Sequence, residues 1–286
     1  MKVFTKISEA ADYRTTLTST GMSVGFVPTM GALHSGHLSL VSTAGKKNNI
    51  VAVSIVVNPI QFYDPKDLEK YPRNIERDLE LLAQIMNPED YVFIPDHSEM
   101  YPEPVSKKYD FGFIGNTMEG AIRPGHFNGV GVVVDLLFRI IKPDDAFFGE
   151  KDYQQIAIIR KMVEIEKHPV NIISCPTLRE PDGLAMSSRN QLLDPDKREN
   201  AGVIYQALKS IAKSARSLSI HETKNLMVRM IESKPGFSVE YIEIADQNTL
   251  QPIDKWTDYE SIRCFIAVST GRVRLIDNII IELDKP

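Results

Sequence analysis

A chain of 286 residues, 43% hydrophobic and 25% charged, has the length for one large α/β domain or two smaller ones and enough apolar residues for a full core. Its formal net charge of -5 argues against a broad nucleic-acid surface, which would recruit Lys and Arg in excess, but leaves room for a small anionic ligand in a local basic pocket. The longest apolar runs, such as Ile50–Val57, are far short of a membrane span, and Met1–Lys6 lacks the apolar core of a secretory leader. A cytoplasmic protein is expected, with Cys175 and Cys264 as buried free thiols and a disulfide or metal pair as the lesser alternative.

In chain order, Met22–Thr29 reads as a buried strand and Leu38–Lys47 as a helix, so Pro28–His37 forms a strand–loop–helix junction. Gly31 and Gly36 there let backbone approach a ligand, and a helix N-terminus with free N–H groups suits phosphate. His34 and His37 add imidazole donors; the bland alternative is two surface histidines. The next strand, Ile50–Val57, runs into Asn58-Pro59-Ile60-Gln61-Phe62, where Asn58 and Gln61 can orient a small polar substrate or merely cap their own loop. Tyr63–Pro72 is polar, with two prolines, and reads as a lid or as a solvated connector.

Ile75–Met86 reads as a helix, Tyr91–Pro95 as a strand and Gly129–Ile141 as a buried helix. Gly129-Val130-Gly131 invites a dinucleotide reading, but the third glycine is absent and no strand precedes it; Asn128 as helix cap, with small residues for close packing, is favoured. Strand Asp145–Gly149 runs into Glu150-Lys151-Asp152, with Asp152 capping helix Tyr153–Lys167. Lys151 then offers a mobile point charge for phosphate, and Gln155 sits one turn on; ordinary surface roles are the alternative for both. After strand Val170–Cys175, the Pro/Gly-containing stretch Pro176–Asn190 reads as a linker. Within it Ser187, Ser188 and Arg189 could clamp an anion, unless Ser187 simply caps a helix.

Short apolar strands alternating with helices predict an α/β fold, a Rossmann-like parallel sheet over residues 1–176 with ligands at the strand carboxyl ends. The pattern after Pro195 differs: helices near Lys197–Arg216 and His221–Ser233, then strands near Ser238–Ala245, Ser261–Ser269 and Val273–Glu282. This predicts a smaller α+β domain over residues 177–286.

His34-Ser35-Gly36-His37 resembles the signature of nucleotidyltransferases and class I aminoacyl-tRNA synthetases, and Met186–Asn190 a degenerate form of the synthetases' second signature loop. Five segments in order, Pro28–His37, Val57–Phe62, Arg123–Phe127, Gly149–Gln155 and Met186–Asn190, resemble the pantothenate synthetase family over essentially the whole chain. The resemblance implies ATP-dependent condensation of (R)-pantoate with β-alanine through a pantoyl-adenylate, Mg²⁺ with the ATP, a C-terminal lid domain and a homodimer. It implies ATP contacts from Met30, Gly31, Ala32, Leu33, His34, Ser35, Gly36 and His37, from Gly149, Glu150, Lys151 and Asp152, and from Leu178, Met186, Ser187, Ser188 and Arg189. Gln61 and Gln155 would hold pantoate, with Asn58 and Arg123 as further candidates and Gln61 also near β-alanine. His34, His37, Lys151 and Arg189 would carry the chemistry, His37 as a proton donor, and no protein ligand of the metal is assigned. A different adenylyltransferase would not be expected to carry Gln61 and Gln155 in these contexts. An aminoacyl-tRNA synthetase would need an anticodon-binding region and a basic surface. A nucleotide sensor that has lost chemistry would not need all four catalytic candidates.

Overall fold

The computed structural model describes residues 1–62, 68–69, 71–215, 217–257 and 261–281, apart from the side chains of 212–214. The expected lid, Tyr63–Pro72, falls largely on 63–67 and 70, outside the described residues. The chain divides into two compact units, Met1–Glu150 with Gln154–Pro176, and Lys151–Tyr153 with Thr177–Pro286.

The first unit is built on six parallel strands: β1 (Lys2–Phe4), β2 (Val24–Thr29), β3 (Ile50–Ile55), β4 (Tyr91–Phe93), β5 (Asp145–Gly149) and β6 (Asn171–Cys175), in the order β1-β4-β3-β2-β5-β6. Every residue of β3 and β4 is buried, the signature of a parallel sheet covered on both faces. The helices of this unit include α1 (Ile7–Ser19), α2 (Ser35–Lys47), α3 (Ile75–Ala83), α4 (His126–Ile141) and α5 (Tyr153–Glu166). Chain order runs from β2 to β3 on one side, while β5 lies on the other, so β2 marks the switch point of the sheet. The β2–β3 ladder continues to Thr29 and Ile55, but β2 pairs with β5 only at Gly25 and Phe26. Pairing between β2 and β5 therefore stops short of the carboxyl end of β2, the end at which open α/β sheets hold ligands. Pro28 lies beyond the last β2–β5 pair, where a missing N–H is tolerated.

Three local expectations change. Helix α2 begins at Ser35, with His34 as its N-cap, so both histidines belong to the helix start rather than to a preceding loop. Asn128 does not cap α4: the helix starts at His126 behind Gly125, whose φ of 82° gives the left-handed turn a glycine accepts. Asn128 instead takes the Tyr109 N–H at 2.8 Å and donates to the Lys107 carbonyl at 3.2 Å. The close-packing reading of its glycines is correct, since a Cβ on Gly129 would lie 2.6 Å from the Gln61 nitrogen. Sequence patterning also missed β1 and α1. The inward stripe of α1 is Ala10, Arg14 and Leu17, and the charged residue in its middle hides the period. Arg14 is paired there with Asp144 at 3.2 Å and with the Lys142 carbonyl at 2.9 Å.

The second unit is a three-stranded antiparallel sheet, β7 (Ser238–Asp246), β8 (Ile262–Ser269) and β9 (Arg274–Ile281), packed with α6 (Val203–Ser214) and α7 (Ile220–Glu232) around a common apolar core. Ser219 caps α7 in a reciprocal pair with Glu222. The single helix expected over Lys197–Arg216 is interrupted: Pro195–Asn200 ends before Gly202, where a Cβ would lie 2.7 Å from the Asp182 carbonyl. Pro176–Asn190 is not a bare linker. Arg179 bridges to Ala185 antiparallel, Met186 N–H donates to the Leu178 carbonyl at 3.0 Å, and Leu184 and Ala185 are buried. Cys175 and Cys264 are free and buried, one in each unit.

Candidate active site

The histidine loop follows β2 into α2. Thr29 Oγ donates to the Ser54 carbonyl at 2.7 Å and accepts the Gly31 N–H at 3.2 Å, which fixes where the strand stops. Gly31 turns with φ 79°, and the next residues are pinned by Asp78 of α3. Its carboxylate accepts the Ala32 N–H at 2.9 Å and the Leu33 N–H at 2.7 Å, and it is only 2% exposed. Asp78 had no signal in the sequence beyond an acid in a helical first turn.

His34 Nδ1 accepts the Gly36 N–H at 3.1 Å, and His37 Nδ1 accepts the His34 N–H at 3.4 Å. The two rings lie 4.1 Å apart. An imidazole nitrogen that accepts a hydrogen bond carries no proton, so each neutral ring bears its proton on Nε2. The first turn of α2 thus presents a helix N-terminus together with two Nε2–H donors, a set that suits phosphate oxygens.

After β3, the turn Pro59–Gln61 carries the second group. Asn58 is fully buried, and its polar atoms are engaged inside the fold. Its Nδ2 donates to Gln61 Oε1 at 3.2 Å and to the Gly129 carbonyl at 3.1 Å, while its Oδ1 accepts from the Tyr101 hydroxyl at 3.1 Å. Burial pushes the Tyr101 phenol up to about 12, so it stays a donor. With Gln61 Oε1 held by Asn58, the side chain presents its Nε2 donors, one of which reaches Met30 Sδ at 3.0 Å. The geometry thus favours the loop-holding role for Asn58 and leaves Gln61 as the group that can meet a ligand. Gln61 is also held through its main chain. His126 Nδ1 lies 2.7 Å from the Gln61 carbonyl, which can only accept, so the proton is on Nδ1. His126 Nε2 then accepts from Arg123 at 3.3 Å. Gln155 is half-buried on α5, whereas its neighbour Gln154 is buried and holds Glu119 N–H, Ile114 O and Thr117 O.

At the end of β5, Gly149 leads into the turn Glu150–Asp152, and a Cβ on Gly149 would meet nothing within 4 Å. Lys151 Nζ contacts Asp152 at 3.1 Å. In the second unit Leu178 is 40% exposed, an apolar side chain turned to solvent. Ser187 Oγ accepts the Arg189 N–H at 3.3 Å and caps the turn Ser188–Leu192, so the capping role is present. Asn190 beneath it donates to the Ala185 carbonyl at 3.0 Å. Ser188 and Arg189 are half-buried. Among the described residues, no group of three or more His, Cys, Asp or Glu side chains is placed to hold a metal ion.

A family model described as pantoate-beta-alanine ligase matches residues 2–280. A pantothenate synthetase of Azobacteroides pseudotrichonymphae is 50% identical over 257 residues, covering 90% of this chain and 91% of that one. The crystal structure of pantothenate synthetase from Thermus thermophilus superposes with a TM-score of 0.89 at 40% identity, covering 98% of this chain and 99% of that one. A pantoate-beta-alanine ligase from Francisella tularensis, crystallised with beta-gamma ATP and beta-alanine, has a TM-score of 0.81 at 36% identity, covering 98% of this chain and 97% of that one. With the same two-sheet architecture and a family match along nearly its whole length, the chain belongs to the pantoate–β-alanine ligase family.

Proposed function

We propose that the residues described above carry out, in this chain, the reaction of its family: condensation of pantoate with β-alanine driven by ATP, through a pantoyl-adenylate. The observation that carries this assignment is the pair of histidines at the start of α2, both held by backbone N–H groups on Nδ1 and so both donors at Nε2.

The pantoate carboxylate is its own nucleophile, so no protein nucleophile is needed. One carboxylate oxygen bonds to the α-phosphorus of ATP while the bond to the bridging oxygen of pyrophosphate breaks. The β-alanine amine then bonds to the acyl carbon, AMP leaves with the former carboxylate oxygen, and the nitrogen loses a proton. In the first step negative charge grows on the departing pyrophosphate. The Nε2–H groups of His34 and His37, the first-turn N–H groups of α2, Lys151 and Arg189 would meet it, with His37 donating at Nε2. Met30–Ser35, Gly149–Asp152, Leu178 and Met186–Ser188 would complete the ATP contacts. Gln61, presenting Nε2 donors, and Gln155 would hold pantoate, with Gln61 also near β-alanine. Asn58 and Arg123 would keep Gln61 in place, the latter through His126.

Bound Mg²⁺ would supply charge neutralisation on the phosphates. The donors at the histidine loop are N–H groups, which fit phosphate oxygens and not a cation, so no protein ligand is assigned and no step is derived through the ion. A homodimer and operation in the cytoplasm belong to the same proposal. Sedimentation tests the first and cell fractionation the second.

The test is exchange of labelled pyrophosphate into ATP. Pantoate with ATP and Mg²⁺ should support exchange without β-alanine. Exchange that appears only when β-alanine is added would rule out a discrete adenylate.

A further inference from the structure

Strand β9 carries Asp277 and Asn278 side by side, and successive residues of a strand face opposite ways. Asp277 shares its face with Leu275 and Ile281 of the apolar core. Its carboxylate takes both arms of Arg179, at 2.6 and 3.0 Å. Arg179 opens the segment that ends at Ser187–Arg189, donates to the Gly183 carbonyl at 3.1 Å and lies 3.9 Å over the Tyr205 ring.

Asn278 works on the other face. Its Nδ2 donates to the Lys151 carbonyl at 2.8 Å, and its Oδ1 accepts from Arg263 at 2.5 Å. Arg263 lies 3.8 Å over the Tyr153 ring and donates to Gln247 Oε1 at 3.2 Å. Arg263 and Asn278 are each 4% exposed, so this chain of contacts is out of water. The orientation of the Asn278 amide follows from the chemistry. Guanidinium can only donate, so the atom facing Arg263 is the oxygen, and the NH₂ group is left facing a carbonyl that can only accept. Both ends of the amide are matched, and a flip would lose both bonds.

We infer that Asn278 is a positioning residue for Lys151. The turn Glu150–Asp152 is a single 3₁₀ turn of three residues. The bond from β9 ties its middle carbonyl to a sheet, and so fixes the point from which the flexible lysine stem leaves. Lys151–Tyr153 accordingly group with residues 177–286 although they follow β5 in the chain. The consequence is that the sheet of the second unit sets the base of the lysine proposed to act on ATP, and the inference rests on that reading of Lys151.

The test is a double-mutant cycle read by pantoate-dependent ATP–pyrophosphate exchange. Asn278→Asp keeps the oxygen for Arg263 and replaces the NH₂ donor by an oxygen. It should lower kcat roughly tenfold, the scale of one buried hydrogen bond, and change the KM for pantoate less than about twofold. Asn278→Ala, which places no oxygen against the carbonyl, should behave alike. In a Lys151→Ala background neither change should lower exchange further. Equal losses in both backgrounds, or full activity of both Asn278 variants, would overturn the inference while leaving the role of Lys151 intact. Full activity of Lys151→Ala would overturn both.

Discussion

From Met30 to His37 the backbone is tied mostly by its own neighbours: His34 to Gly36, His37 to His34, Thr29 to Gly31, with Asp78 of α3 holding Ala32 and Leu33 from outside the segment. Lys151 and the Arg179–Arg189 segment are tied from a distant stretch of chain, by Asn278 and Asp277 on β9. A region that holds itself should tolerate changes elsewhere and fail only when its own residues change. A region held from a distance should fail when its anchors do, even though the anchors touch no substrate in the proposed mechanism.

The sharpest break falls on the distant anchor. Asp277→Ala leaves the half-buried Arg179 guanidinium without its buried carboxylate and should destabilise the fold by about 3 kcal/mol, measured by urea unfolding. Burial raises the Asp277 carboxyl above its usual 3.8, with Arg179 opposing the rise. An unfolding midpoint near that of the parent would mean that β9 does not hold the Arg179 segment.

Next come the groups proposed to act on ATP. Lys151→Ala and His37→Ala should each lower turnover about a hundredfold, a few kcal/mol of transition-state stabilisation, without a shift in thermal unfolding. Near-normal turnover of either variant removes that residue from the mechanism. A smaller effect is expected from the carboxylate that holds the histidine loop from outside. Asp78→Asn keeps one acceptor but sets an NH₂ group against a backbone N–H, and should cost roughly 1–3 kcal/mol of stability. If stability falls while His37-dependent turnover stays at the parent level, the loop holds itself even more completely than the contacts suggest.

Tyr101→Phe removes one hydrogen bond two contacts away from the proposed substrate. A loss of about 1 kcal/mol predicts a KM for pantoate raised roughly fivefold with the KM for ATP unchanged. A parallel rise in both would make Tyr101 a general packing residue. The gentlest probe is pH. Burial alone would raise the Asp135 carboxyl, but hydrogen bonds from Lys107, His168 and Arg139 outweigh it and leave it below its usual 3.8. A lowered carboxyl stabilises the fold fully above its unfolded value and loses that contribution as pH falls through the folded one. Urea midpoints should therefore drop below about pH 3.8 more steeply in the parent than in Asp135→Asn. Parallel curves would show that the Asp135 cluster adds no acid-sensitive stability.

The short apolar strands β2, β3 and β5 and the motifs at their ends were legible because burial on both faces leaves a continuous apolar run, and because loop chemistry is local in the chain. Tyr101 and Asp78 were not, since an isolated tyrosine or first-turn acid looks the same whether it faces solvent or pins a loop. The start of α4 was misplaced because Asn128 has the composition of a cap, while the left-handed Gly125 that makes the turn is chosen by backbone geometry.

By itself the sequence determined the order of the strands from β2 onward, the division into an α/β and an α+β half and the segments that resemble one ligase family, because periodicity and motif spacing are properties of neighbours along the chain. Tertiary structure alone decided that the histidine rings carry their neutral protons on Nε2, that Asn58 is spent on holding Gln61, and that Asp277 and Asn278 hold Arg179 and the base of Lys151. Those outcomes turn on which donor meets which acceptor across the fold, and a hydrogen bond forms only at a distance and angle that folding supplies.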